Sequence, residues 1–156
     1  MWGNTLIIDC VSPQIDPETL RASEEDTLVL TWEQRRWMRG RFTTTRGRKI
    51  GIALPTGTVL SHGTVLYVGA DWHLKIEAAV EAVLEIAPLD YATAVKIAFE
   101  VGNRHFPLAL AGDKILVPDD KAMTRLMDRL GVQWERCQTI FDPIGNTQLH
   151  QHGSLS

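Results

Sequence analysis

The spacing of apolar residues changes near residues 71–79 of this chain, from every second position to every third or fourth. A chain with two hydrophobic periods has to bury them in two kinds of layer, so this change limits the fold more than any other feature. Before it, Leu28, Leu30 and Trp32 share one face of a strand over 27–32, and Ile50, Ile52 and Leu54 share one over 49–54. Alternation of this kind turns one side of a strand toward a core and the other toward water. Arg46-Gly47-Arg48, Pro55-Thr56-Gly57 and Ser61-His62-Gly63 place turn residues between these runs and a third at 65–68. Residues 1–74 therefore read as an all-β domain.

Strand-like pieces over 74–79 and 81–86 lead to Pro88, and helical spacing follows. Tyr91, Ala94, Val95, Ala98 and Val101 recur at threes and fours, as one face of a helix that Gly102 and Asn103 are able to end in left-handed conformations. Met123, Leu126, Met127 and Leu130 repeat the pattern, with Asp119 and Asp120 as cap candidates and Gly131 as a stop. Strand candidates over 106–110 and 114–117, joined by Ala111-Gly112-Asp113, lie between the helices, and 132–141 makes a last strand. The order β-α-β-β-α-β over 75–142 is the ferredoxin-like, split-βαβ arrangement, with two helices on one face of a four-stranded antiparallel sheet. Residues 143–156 hold little that is apolar beyond Ile144, Leu149 and Leu155, so they are expected to form a flexible tail. The expected fold class is α+β.

An apolar content of 44% with five tryptophans excludes a disordered chain, and a net charge of −3 gives no overall pull toward nucleic acid or anionic lipid. Neither is expected as a partner. The first ten residues lack a basic segment followed by a long apolar one, so a cytoplasmic location is expected. Cys10 and Cys137 fit no C-x-x-C spacing and are expected to be reduced and buried. No Gly-x-Ser-x-Gly, P-loop, His-Glu-x-x-His or dinucleotide fingerprint occurs, which argues against an enzyme. Seven basic residues crowd 35–49, where the strand period spreads them over two faces. A solvated strand surface is the simplest reading of that run, and docking to an acidic partner is the alternative.

With the cysteines so placed, imidazole is the candidate metal ligand. The five histidines are His62, His73, His105, His150 and His152. His62 and His73 read as surface or turn residues. His150 and His152 stand two apart, so an extended tail turns both rings to one side about 6–7 Å apart, near enough to share an ion. Two solvated tail histidines fit the same spacing. His105 directly follows a helix end, where a histidine is more often packed or hydrogen-bonded than metal-bound. The residues alone leave both readings open.

The run Phe99-Glu100-Val101-Gly102-Asn103-Arg104-His105-Phe106-Pro107-Leu108 resembles the signature of the E-type urease accessory proteins, in which a helix ends in Gly-Asn-Arg-His ahead of a strand. The likeness extends to Asp119-Asp120 before the second helix, Leu130-Gly131 after it, Phe141-Asp142-Pro143 before the tail, and His150-Gln151-His152-Gly153 within it. Toward the N-terminus, the basic run followed by Gly51-Ile52-Ala53-Leu54-Pro55-Thr56-Gly57 and His62-Gly63 is similar to that family's β domain, itself similar to the peptide-binding module of certain heat-shock cochaperones.

The resemblance implies a nickel-binding metallochaperone that delivers Ni(II) for assembly of the urease active site, with Cu(II) or Zn(II) able to substitute in vitro. It implies a homodimer through the C-terminal domain, with His105 of each subunit facing its twin, and leaves open whether such dimers join into a tetramer around shared metal. Two-fold symmetry duplicates every ligand, so one imidazole per chain becomes two, and His150 and His152 would complete the shell as auxiliary ligands. The implied partners are the urease accessory GTPase, the other urease accessory proteins and, through them, apo-urease. Glu100 stands where many relatives carry a histidine, and Val101 where they carry leucine. With two tail histidines in place of a long histidine-rich tail, a capacity of about one tightly held ion per dimer is expected. The rival reading is a ferredoxin-like RNA- or peptide-binding module without a metal function.

Overall fold

The computed structural model describes residues 4–12 and 15–145, which form two compact units divided between Ala78 and Ala79. The first holds β1 (Leu6–Ile8), α1 (Pro17–Ala22), β2 (Glu24–Leu30), β3 (Arg39–Thr43), β4 (Lys49–Ala53), β5 (Val65–Val68) and β6 (Trp72–Ala78). They make two three-stranded sheets, ordered β1-β4-β3 and β2-β6-β5. β1 runs parallel to β4 and β2 parallel to β6, and the remaining pairs are antiparallel. One apolar cluster draws on both sheets, with Ile8, Ile50 and Ile52 from the first and Leu28, Leu30, Leu66, Leu74 and Ile76 from the second. Each such side chain taken from water contributes about 1.5–3 kcal/mol, which fixes the strand faces that the alternation marks.

The unit is not purely β. Asp16 precedes α1 as its N-cap residue and Pro17 opens it, where the missing N–H costs no helical bond. A 3-10 turn spans Gln34–Arg36. The expected domain boundary at residue 74 falls inside β6, whose register with β2 continues to Ala78 opposite Leu30.

The second unit contains β7 (Val80–Ile86), α2 (Tyr91–Asn103), β8 (Ala109–Ala111), β9 (Lys114–Pro118), α3 (Lys121–Leu130) and β10 (Trp134–Ile140). Its sheet is ordered β10-β7-β9-β8 with every pair antiparallel, so β9 separates β7 from β8. Leu84 and Ile86 of β7 and Ile115 and Val117 of β9 meet Ile97, Val101, Met123, Leu126 and Met127 of the helices in one cluster. Both helices start at an aspartate. Asp90 accepts the Thr93 N–H at 2.7 Å and Asp120 the Ala122 N–H at 2.7 Å, while Gly131 closes α3 at φ 66°.

The buried face of α2 differs from the expected one. Ile97 and Val101 are its fully buried residues, with Ala94 packed beside them, whereas Tyr91, Val95 and Ala98 are exposed. This helix carries two apolar stripes, and periodicity cannot say which of them the sheet will take. On α3, where apolar residues occupy one stripe only, Met123, Leu126 and Met127 are buried as the spacing predicts.

Candidate metal centre

The C-terminus of α2 sets the geometry around His105. The His105 N–H donates to the Gly102 carbonyl at 3.0 Å, and the Phe106 N–H donates to the Val101 carbonyl at 3.2 Å. These are the two bonds of a Schellman cap, whose left-handed position is usually glycine. Here that position is His105 at φ 60°, the one non-glycine residue with positive φ among the described residues. Gly102 and Asn103, expected to supply the left-handed turn, lie inside the helix instead. Phe106 packs on the cluster containing Val101, and this contact holds the chain on the path that makes His105 turn.

Left-handed backbone costs a β-carbon residue about 1–2 kcal/mol, and such outliers persist where the surroundings overdetermine them. The result at His105 is an exposed imidazole that makes no hydrogen bond among the described residues. Beside it, Arg104 Nη1 bonds the Glu100 carboxylate at 2.6 Å and the Glu100 carbonyl at 2.9 Å. Arg104 thus ties the last turn of α2 together and holds Glu100 along the helix.

The other described histidines are committed elsewhere. His62 Nδ1 accepts the Ala78 N–H at 3.0 Å. That bond puts the proton of the neutral ring on Nε2 and leaves it no free lone pair for a metal. His73, expected at a surface or turn, is buried. Its Nδ1 lies 2.6 Å from Ser23 Oγ and its Nε2 3.3 Å from Glu25 Oε2, the carboxylate directly across the β2–β6 pair. Those two partners satisfy the ring and permit its burial. His150 and His152 lie outside the described residues.

Neither cysteine matches its expected burial, since Cys10 is exposed and Cys137 half-buried. Burial and the nearby Glu85 carboxylate push the Cys137 thiol up, which disfavours the thiolate that metals bind. Among the described residues no three His, Cys, Asp or Glu side chains gather as a metal site. A metal at His105 would need ligands from beyond the described part of one chain.

The approach to His105 is apolar. Tyr91, Val95 and Phe99 stand four residues apart along α2 and are 85%, 49% and 67% exposed. Side chains at this spacing line one side of a helix, so the stripe runs down α2 toward the turn that carries His105. Its spacing is legible in the sequence, but its exposure is not.

The chain matches the family model described as UreE urease accessory protein, N-terminal domain, over residues 8–79, and its C-terminal counterpart over residues 81–155. It is 30% identical over 145 residues to the urease accessory protein UreE of Burkholderia thailandensis, covering 92% of this chain and 68% of that protein. The UreE of Parasynechococcus marenigrum is 32% identical over 136 residues, covering 85% and 91%. That of Cupriavidus necator is 32% identical over 128 residues, covering 81% and 67%. The two models meet within a residue or two of the division between the units, and His105 falls in the second. By these matches over both of its units, the chain belongs to the UreE urease accessory protein family.

Proposed function

We propose that this chain carries Ni(II) to the urease maturation machinery as a homodimer that holds the ion between two copies of His105. The observation that carries the reading is the imidazole itself: exposed, unengaged among the described residues, and fixed in left-handed backbone at the end of an exposed apolar helix face. Association through that face would take Tyr91, Val95 and Phe99 out of water. A two-fold contact places the same residues on both sides, so two His105 rings follow from one.

Two imidazoles leave a nickel ion short of ligands. His150 and His152 supply candidates, and water takes the remaining positions. An incomplete shell suits a carrier, because an acceptor has to reach the ion and displace its ligands, whereas a structural site encloses its metal. Cu(II) and Zn(II) bind the same donors, and Cu(II) binds most imidazole sites more tightly. The acceptors in this reading are the urease accessory GTPase and its companion proteins, then apo-urease, all in the cytoplasm. No helix among the described residues is long and apolar enough to cross a membrane. The role requires no bond making or breaking in a substrate, so no residue is assigned to catalysis.

Nickel titration by calorimetry, with mass followed by light scattering, tests the reading. Wild-type chain should bind about one ion per dimer, His105→Ala should lose that binding while keeping its mass, and truncation after Pro143 should weaken binding but leave the dimer. Because imidazole ligates only when neutral, affinity should fall as pH drops from 8 to 5. A His105→Ala chain with undiminished nickel affinity would remove the centre from this account.

A further inference from the structure

The basic run over 35–49 resolves into residues with partners and residues without. Arg35 is buried, and Arg36 lies over the Trp32 ring at 5.9 Å. Arg46 and Arg48 pair with Glu24, Arg48 also meets Asp26 at 2.7 Å, and Lys49 Nζ bonds the Thr43 hydroxyl at 2.9 Å. Arg39 and Arg41 remain. Both are exposed on β3, and no ion pair involves either among the described residues.

Among the described residues β3 is an edge strand, paired on one side with β4. The Leu54 N–H donates to Met38 O at 2.7 Å and the Thr44 N–H to Arg48 O at 2.9 Å, at the two ends of an unbroken register. In an antiparallel pair hydrogen-bonded positions alternate, so even-numbered residues of β3 bond β4. The N–H and C=O groups of Arg39, Arg41 and Thr43 therefore face the open edge. The Arg39 and Arg41 side chains leave one face of the strand from Cα positions about 7 Å apart, the repeat of alternate residues in an extended chain. On that face Gly51, Ala53, Ile7 and Thr5 border an open depression of about 650 Å³. A Cβ on Gly51 would lie 2.6 Å from Ile7 Cδ1, the far end of an exposed side chain that would have to turn aside.

We infer that the β3 edge takes up an extended acidic segment of a partner protein as a fourth strand, with alternate Glu or Asp side chains over Arg39 and Arg41. The open donors and acceptors supply the backbone bonds and the arginines select the charge. On the opposite face the added strand passes Gly40, over which the Phe42 ring lies, so the intervening residues should be apolar. Edge charges also keep copies of a protein from pairing with each other. The two roles agree, because like charge repels a second β3 edge while opposite charge is drawn to it. This docking is independent of the metal at His105.

The test measures fluorescence anisotropy of a labelled Glu-Val-Glu-Val-Glu peptide, capped at both ends, titrated with the full chain. Saturable binding is expected, weakened about tenfold or more by Arg41→Glu and by raising salt from 50 to 500 mM. Thr43→Pro should weaken it as well with every charge kept, since the lost N–H faces the open edge and the β4 ladder stays whole. His105→Ala should change nothing. A Gln-Val-Gln-Val-Gln peptide, and the acidic peptide N-methylated at all five residues so that no N–H remains for the edge in either strand direction, should both fail to bind. The proposal is overturned by no saturation up to about 1 mM chain, by undiminished binding of the N-methylated peptide, or by an oligouridylate binding the same arginines more tightly than the acidic peptide does.

Discussion

Replacing His105 with glycine should stabilise the metal-free chain while destroying its nickel site. The left-handed backbone at φ 60° costs a residue with a β-carbon about 1–2 kcal/mol. Glycine escapes that cost but gives up about 0.4–1 kcal/mol through the greater freedom of its unfolded chain. The difference favours His105→Gly by roughly 0.5–1 kcal/mol, because the imidazole is exposed and makes no hydrogen bond among the described residues that glycine would lose. In a unit of this size that amounts to a rise in melting temperature of about 2–8 °C. His105→Ala keeps the β-carbon and should gain none of it, and Asn, which tolerates the left-handed region, should fall between. The assay is urea and thermal unfolding followed by circular dichroism, with chelator present and every variant at one chain concentration. If His105→Gly unfolds no later than His105→Ala, the left-handed turn carries no strain and its meaning for function disappears.

Phe99→Glu places a charge in the exposed α2 stripe, so light scattering should report a monomer with weakened nickel binding; as Phe99 is 67% exposed, the stability of the single chain should change by no more than about 0.5 kcal/mol. Burial pushes the Asp26 carboxyl up, but bonds from Thr44, Arg48 and the Thr27 and Arg46 N–H groups outweigh it and hold it at about 2 instead of 3.8. A depressed carboxyl stabilises the fold fully above about 3.8 and loses that contribution as pH falls toward about 2, so the stability gap between wild type and Asp26→Asn should narrow by about 2 kcal/mol over that window. A gap independent of pH would contradict the assignment. Cys10, which is exposed, should be alkylated by iodoacetamide well before Cys137, whose raised thiol should react appreciably only at higher pH; mass spectrometry of the modified chain reads both rates.

Much of this fold is legible in the sequence, and what is legible there is local. Asp120 and Gly131 bracket α3, Gly112 turns β8 into β9 at φ 63°, and the alternation of Ile50 and Ile52 or Leu28 and Leu30 marks inward faces, because caps, turns and strand periods act within a few residues of themselves. The Gly-Asn-Arg-His run likewise identified the relatives and the histidine to consider.

What depended on tertiary structure is whatever a distant segment decides. α2 carries two apolar stripes of similar strength, and only the sheet beneath it determines that Ile97 and Val101 are covered while Tyr91, Val95 and Phe99 face out. His73 and His62 look alike in sequence, but Ser23 and Glu25 bury the first and the Ala78 N–H occupies the second. The basic run reads as one patch until Glu24, Asp26 and the Trp32 ring claim part of it and leave Arg39 and Arg41 on the open edge of β3. Even the left-handed turn at His105 belongs to this class, since the docking of Phe106 beside Val101 sets where α2 must stop and which residue bends. Sequence determined which groups were available; long-range packing decided which of them were left free, because burial and hydrogen bonding depend on neighbours that the order of residues does not place together.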